Sequence, residues 1–264
     1  MSFIRSYFLA LICIFSLVLN VTGDEQNPQE IQEKLSHDLK FSATCNLKAV
    51  SFYPKTENPR VQLYRTTGND GEVFVRMDTY AKDGGLTFSY LIRGDEVYML
   101  HKDKIFQFMV NQEKVISQID PIKSIVDQLD TISQKVSCQY KMEDAKYKDK
   151  DCCKITMTLP MDDKSLATLL GKSEEEILKN KDKYLNAVPS MITFDILKSN
   201  DFVYNIATYN HSGKRLGNTS WDHMELDFNP TFPEDLFEVP KGKITTILRQ
   251  EQLRDIYKEI GLGK

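Results

Sequence analysis

The chain has 264 residues with 34 basic and 38 acidic side chains, and 41% of its residues are hydrophobic. This length is enough for one large domain or two small ones. Because the two signs of charge are interspersed along the sequence, no segment indicates a surface for nucleic acid or for an anionic membrane. The sequence therefore predicts no nucleic-acid partner.

Residues 1–23 have the pattern of a cleaved secretory signal. Arg5 gives the positive start, residues 7–19 form an apolar run, and Val21 and Gly23 are the small residues before the cleavage point. A membrane-spanning helix needs about 20 apolar residues, so this shorter run favours cleavage over an uncleaved anchor. We therefore expect a soluble, exported protein. Cleavage removes one of the 34 basic residues and none of the 38 acidic ones, which gives a net charge of −5.

The mature part begins with the pattern of a helix start. Asn27 can cap a helix, Pro28 suits its first position, and Glu30 stands where a capping box requires it. These signals predict a polar helix with a single buried stripe. The stripe recurs at every fourth position and consists of Ile31, Leu35 and Leu39.

Residues 42–110 change to the alternation that is typical of β-strands. The strand-like runs are separated by GNDG, KDGG and RGDE, and Asp and Gly in such turns supply the positive φ angles of tight hairpins. Strands joined by short turns must be antiparallel neighbours, so this stretch predicts a meander. The apolar face of these strands includes Val75, Met77, Leu86, Phe88, Tyr90, Ile92 and Met99.

Helical insertions and further strands follow the meander. Apolar spacing of three and four residues predicts helices over 119–135 and 166–185, and a Pro-rich loop at 228–243 precedes a predicted C-terminal helix over 243–264. Strands are predicted at 138–141, 152–159, 191–198, 202–209 and 217–228.

This order of elements predicts an α+β fold. We expect a strongly curved antiparallel β-sheet that forms a half-open barrel, with helices covering its concave face, because helices must cover the mouth of a barrel that does not close. No Ser- or Pro-rich linker divides residues 24–264, which favours a single domain. The pattern leaves open whether the concave face is a filled core or a ligand cavity.

Four cysteines remain after residue 23, and an even number in an exported chain favours disulfides. A hairpin formed by residues 138–143 and 152–158 brings Cys138 near Cys152 and Cys153, and leaves the remaining one free to bridge to Cys45. The pairing stays open, since four cysteines allow three pairings. Zinc is the alternative, but the usual two-residue spacing between ligands is missing.

Motifs for chemistry are few. On a strand, His223, Glu225 and Asp227 share one face and could bind a metal, although alternation also predicts a plain solvent face. No serine stands in a Gly-x-Ser-x-Gly elbow, and the GKS at 171–173 lacks the upstream glycine of a phosphate-binding loop. The sequence therefore predicts no enzymatic activity and no cofactor. A metal-dependent hydrolase is the least favoured hypothesis.

Three segments, VRMDTY, YLIRGDEVYML and PEDLFEVPKG, carry a resemblance to a known family. With the order of elements over residues 27–242, they resemble the LolA/LolB-like outer-membrane lipoprotein-sorting (lipoprotein carrier) proteins. The resemblance implies an incomplete antiparallel barrel whose helices form a lid over an apolar cavity. In the family, that cavity holds the acyl chains of a lipoprotein or lipid that crosses the periplasm.

The resemblance also implies site residues and partners. An arginine on an early strand helps to hold the lid closed in the family, and Arg76 is the nearest match here. The resemblance thus implies a periplasmic protein. The expected function is non-covalent transfer of acyl chains, by a monomer, between inner-membrane delivery and outer-membrane acceptor proteins. The alternative is a LolA-like envelope sensor or scaffold that binds another protein and has little or no lipid cavity.

Met and aromatic side chains form an adaptable wall for flexible acyl chains. The apolar face of the meander is therefore the predicted cavity wall, although the same residues could simply pack against the helices. In the loop at 228–243, Pro233 starts a tight turn that we expect to direct two further residues of this wall inward, Leu236 and Phe237.

Overall fold

The computed structural model describes residues 27–109 and 112–259. The predicted signal lies outside the described residues. Within the described part of the chain, no helix has the length and apolar character needed to span a membrane. The helices are α1 (Pro28–Thr44), α2 (Gln112–Ile119), α3 (Pro121–Lys135), α4 (Asp163–Leu170), α5 (Glu174–Lys179), α6 (Lys181–Ala187) and α7 (Gln250–Glu259).

The strands form two sheets. The first sheet contains β1 (Leu47–Phe52), β2 (Pro59–Thr67), β3 (Val73–Tyr80), β4 (Leu86–Arg93), β5 (Glu96–His101), β6 (Lys104–Phe108), β12 (Glu225–Asp227) and β13 (Ile244–Ile247). The second contains β7 (Gln139–Tyr147), β8 (Lys150–Thr158), β9 (Met191–Leu197), β10 (Val203–Tyr209) and β11 (Arg215–Ser220). Their spatial orders are β12-β1-β2-β3-β4-β5-β6-β13 and β11-β10-β9-β8-β7.

Helix α1 forms as its sequence predicts. The side chain of Asn27 accepts a hydrogen bond from the backbone N–H of Gln29, and Pro28 occupies the first turn, where its missing N–H is no loss. The apolar stripe of Ile31, Leu35 and Leu39 is buried, at 3–4% exposure. The helix contacts β2, β7 and β10, so it bridges the two sheets.

The predicted meander is confirmed. Strands β1 to β6 pair in sequence order as antiparallel neighbours, and the predicted turns contain Gly71, Gly84 and Gly94 at positive φ. The sixth strand then pairs in parallel with β13, which covers its free edge. Alternation along these strands sends Val75 and Ile92 to the helix-covered side and Arg76 to the outer side.

The two sheets meet at a seam where the chain passes from β11, at one sheet edge, to β12, at the other. Trp221 lies in this passage, donates its backbone N–H to the Tyr204 carbonyl, and has its ring 5.6 Å from that of Phe202. Phe228 packs on the same Phe202 ring at 4.9 Å. The ends of the strand orders do not pair with each other, so the β-structure is not closed. This confirms the predicted α+β half-open barrel with helices on its concave side.

Two predicted elements are wrong in part. The predicted C-terminal helix over 243–264 starts only at Gln250, because Ile244–Ile247 form β13 against β6. The predicted strand over 217–228 breaks at the seam, where the backbone N–H of Met224 bonds to the Trp221 carbonyl in a turn. In both places the sheet edge determines the conformation more than the local periodicity does.

Candidate functional site

The concave face of the first sheet is a packed core. Five residues that the sequence predicts as a cavity wall are at most 9% exposed, and they form one cluster with residues of α2, α3 and α7. Met77 is half-buried and packs against the same cluster. Among the described residues, the helices therefore fill this side. The five residues are Val75, Phe88, Tyr90, Ile92 and Met99.

Leu86 does not belong to that wall. It is 54% exposed, because the pairing of β3 with β4 shifts between Thr79 and Tyr80, just where Leu86 begins its strand. A bulge of this kind interrupts the alternation of side chains, so residues beyond it no longer follow the face of Phe88. The prediction that Leu86 shares this face is wrong for that reason.

Helix α7 covers part of the concave face of the first sheet. Ile256 is buried in the same core cluster, and Tyr257 packs against it. The hydroxyls of Tyr90 and Tyr257 lie 2.9 Å apart and share a hydrogen bond. Burial, and then the bond to Tyr257, raise the pKa of Tyr90 well above its ordinary value of 10. The sequence-predicted wall is therefore occupied by the chain's own C-terminal segment.

Residues 232–239 of the Pro-rich loop at 228–243, here called the strap, lie on the outer face of the first sheet. Phe237 packs in a cluster with Leu91, Tyr98 and Ile105. These three residues face the outer side, because the residues next to them on the same strands point to the concave core. The predicted turn is present, since the N–H of Leu236 bonds to the Pro233 carbonyl. The expectation that Leu236 and Phe237 point inward is wrong, because the strap crosses the opposite face.

Arg76 holds the strap on the outer face. Its Nη1 donates to the Leu236 carbonyl at 3.0 Å, and its Nε donates to Asp78 Oδ1 at 2.8 Å. Because Arg76 alternates with the inward Val75 and Met77, it faces away from the helices. The expectation that Arg76 holds a helical lid therefore does not agree with its position.

Arg65 is the arginine that reaches the helices. Its side chain is fully buried on the concave side of β2, where Nη1 donates to the Ser42 carbonyl in α1 and lies 3.6 Å from Asp120 Oδ2, between α2 and α3. A buried charge requires such a partner, because removal from water costs several kcal/mol. The signal in the sequence was an arginine two residues after Leu63, at a position that alternation assigns to the apolar face.

One apolar groove of the described structure lies over the second sheet. A groove of about 270 Å³ runs between α3 and strands β9 to β11. Ile125, Leu129 and Ile132 on one face of α3 form its wall. The remaining lining residues are Gln128, Pro189, Ile192, Ile206, Thr208, Gly217, Asn218 and Thr219.

Paired residues of β10 and β11 form the sheet side of this groove. Thr208 pairs with Gly217, and Ile206 with Thr219, so these four share the face that looks toward α3. A Cβ added at Gly217 would lie 3.2 Å from Thr208 Oγ1, which is tight contact. A side chain at position 217 would therefore have to displace Thr208, which lines the groove. Sequence alternation predicted these strands but not the spacing of α3 above them.

The predicted disulfides are absent, since the described cysteines are all free thiols. The β7–β8 pairing places Cys152 opposite Ala145 and Cys153 opposite Asp144, with the turn after Tyr147. Cys138 lies at the other end of this hairpin, about 20 Å away at 3.3 Å per residue, whereas a disulfide requires Cα atoms within about 7 Å. The expected proximity of Cys138 to these two is therefore wrong. Burial raises the pKa of the four thiols: Cys45, Cys138, Cys152 and Cys153.

The alternative metal site at the seam does not form as predicted. Trp221 and His223 lie in a turn, and only Glu225–Asp227 continue as strand β12. The expected shared face of His223, Glu225 and Asp227 therefore breaks after His223. Among the described residues, no group of three His, Cys, Asp or Glu side chains is placed to hold a metal ion.

Tyr140 lies between α1 and α3. Burial raises the pKa of its hydroxyl to about 12. The folded state therefore retains this proton, and the resulting stabilisation is complete below pH 10 and is lost as the pH rises through about 12. We expect a phenolate absorbance titration to show several tyrosines that ionise late, and we expect Tyr140→Phe to remove one of them near pH 12. A titration curve that the substitution leaves unchanged above pH 11 would contradict this assignment.

Comparison with known proteins shows similarity at the level of solved structures. No protein-family model and no curated protein sequence matches the chain. The Pseudomonas aeruginosa MucA/MucB complex aligns with 9% identity over 80% of this chain and 61% of that chain, at a TM-score of 0.43. This chain thus spans less than two thirds of that protein's length.

Two further solved structures are similar over most of their own length. A putative outer-membrane lipoprotein-sorting domain from Vibrio parahaemolyticus has 9% identity over 80% of this chain and 97% of that chain, at a TM-score of 0.39. A LolA superfamily protein from Nitrosomonas europaea has 13% identity over 73% of this chain and 76% of that chain, at a TM-score of 0.29. The solved structures to which this chain is similar thus include LolA-like proteins.

Proposed function

We propose that this protein is a non-enzymatic carrier in the bacterial envelope that binds a lipid or lipoprotein acyl chain in the groove between α3 and the second sheet. The observation that carries the proposal is the apolar groove of about 270 Å³ on the concave side of the half-open barrel. The sequence resemblance to lipoprotein carriers supports the same class of cargo. Periplasmic location and transfer toward the outer membrane belong to this proposal.

The groove offers the interactions that an acyl chain needs. Ile192 and Ile206 of the sheet and Leu129 of α3 line it, so a bound chain would lie between apolar side chains on both sides. Each methylene that leaves water contributes about 0.8 kcal/mol. Binding and release then need no covalent step, because the chain exchanges burial in this groove for burial in the next acceptor.

Helix α3 is the element whose movement would open the groove. It contacts α1, α2 and α4, and Arg65 reaches Asp120 just before its first residue. A shift of α3 away from β9 to β11 would widen the groove, and it would also move Ile122, which α3 contributes to the packed core over the first sheet. In this proposal, the part of the barrel that binds and releases the acyl chain is the part formed by the second sheet.

One observation favours the alternative function, a sensor or scaffold that binds another envelope protein. The concave face of the first sheet, where the resemblance implies the lipid cavity, is filled by side chains of the chain's own helices. Protein that carries no lipid when purified from its envelope, but co-purifies with another protein at a fixed ratio, would support this alternative.

The test of the carrier is native mass spectrometry of protein purified from its own envelope, together with titration of a fluorescent acyl probe. We expect bound lipid, and we expect Gly217→Leu to weaken probe binding by about fivefold or more, because forcing a larger side chain into the space that the probe occupies costs about 1–3 kcal/mol. The matched control is Arg215→Leu, which places a leucine on the same strand but outside the groove lining. Thermal unfolding of both variants establishes that they fold.

Two results would count against the carrier. One is a wild-type protein that is free of lipid and rejects the probe. The other is a Gly217→Leu variant that folds and binds the probe as tightly as Arg215→Leu, which would place the acyl site elsewhere.

A further inference from the structure

We propose that the groove selects a single acyl chain with an uncharged head, joined by an ester or amide, and discriminates against free fatty acids. This inference rests on the proposed carrier function and adds the chemical class of the cargo. It is carried by the chemistry of the lining side chains and by the size of the groove.

The polar groups of the groove are uncharged. Thr208 and Thr219 present hydroxyls, Gln128 presents an amide, and none of the described lining residues is charged. Hydroxyl and amide N–H groups can donate to the carbonyl of an ester or amide. A carboxylate held in the same place would lose water without gaining a cation, and buried charges in proteins are paired.

The groove has room for one chain. Its volume of about 270 Å³ lies just below the range of about 300–1,000 Å³ that is usual for drug-sized ligands. Leu129 closes it on the α1 side, since the same side chain also lines a separate cavity of only about 60 Å³ beneath α1. A lipid with several chains would therefore leave all but one outside the groove.

The experiment compares lauric acid with its monoglyceride, which carries the same chain on an uncharged ester. Calorimetric titration of the full protein at pH 7.5 is expected to give about tenfold or more tighter binding of the monoglyceride. The difference between the affinities for the two lipids should narrow as the pH falls toward about 5, because lauric acid then takes up its proton. Equal affinities at pH 7.5, or tighter binding of lauric acid, would overturn the proposal.

A variant with a cation in the groove sharpens the test. Thr219 shares its sheet face with Gly217, next to Ile206, so Thr219→Lys brings an ammonium group to the lining. We expect Thr219→Lys to bind lauric acid about tenfold more tightly than Thr219→Gln, a neutral control of similar length, and to lose the preference for the monoglyceride. Unchanged binding of lauric acid would overturn the assignment of this groove.

The outcomes separate the two proposals. If wild-type protein binds neither lipid, the carrier function fails and this inference fails with it. If both lipids bind equally and Gly217→Leu blocks both, the carrier groove stands and only the selectivity is wrong.

Discussion

Replacing Arg65 with methionine is expected to lower the free energy of unfolding by about 3–5 kcal/mol, because removing one partner of a buried ion pair leaves the other charge uncompensated. Arg65 is fully buried, lies 3.6 Å from Asp120 and donates to the Ser42 carbonyl, so the loss affects β2, α1 and the α2–α3 junction together. Urea denaturation followed by fluorescence of Trp221, the single tryptophan of the chain, measures it.

The matched control is Arg76→Met, which removes the same group from the next strand. Arg76 is 19% exposed on the outer face and its partner Asp78 is 6% exposed, so the loss of its hydrogen bonds to Leu236 and Asp78 is expected to cost about 1–3 kcal/mol, less than the loss of the fully buried Arg65. A double variant, Arg65→Met with Asp120→Leu, should recover part of the stability, since apolar replacement of a whole buried pair is often neutral. Equal losses for the two single variants would refute this role of Arg65.

Ile256→Ala is expected to destabilise the protein by about 2–4 kcal/mol, because it removes a buried side chain and leaves a cavity. Ile256 is 8% exposed and packs in the core beneath the first sheet. Loss of this contact weakens the attachment of α7 and uncovers Tyr90 and neighbouring aromatic rings. Denaturant unfolding measures the stability, and binding of an apolar dye measures the uncovered surface.

Leu248→Ala is the control for that substitution. Leu248 precedes α7 and is 62% exposed, so its truncation should change stability by no more than about 0.5 kcal/mol. It should also leave dye binding unchanged. If both variants lose the same stability, α7 is not anchored through Ile256.

The sequence predicted those parts of the fold that depend on short-range periodicity. The stripe of Ile31, Leu35 and Leu39 predicted the buried face of α1, and the Gly-containing turns predicted the order β1 to β6. Alternation also assigned Val75 and Ile92 to the helix-covered side. These features are local, because one face of a helix or strand follows directly from spacing.

The missed features depend on structure far along the chain. A loop with three prolines has no period, so nothing local could tell that Phe237 packs on the outer face of the sheet. The β7–β8 turn contains Lys148 at a φ of 56°, which lysine rarely adopts, so the usual Gly or Asn signal was missing and the cysteine register was misplaced. The groove depends on the distance between α3 and strands β9 to β11. The spacing of apolar residues within the helix or within the strands does not give that distance.

The parallel pairing of β13 with β6 has a consequence for the folding of the newly synthesised chain. Ile105 and Ile244 are partners, although most of the chain separates them in sequence, so this edge is completed only after the C-terminal segment has been made. Until then, β6 presents unpaired N–H and C=O groups that can recruit a strand from another chain. Contacts of such long sequence separation also form slowly. The newly made protein is therefore most prone to self-association just before its last strand docks, and a chaperone that covers the β6 edge would protect it during that interval.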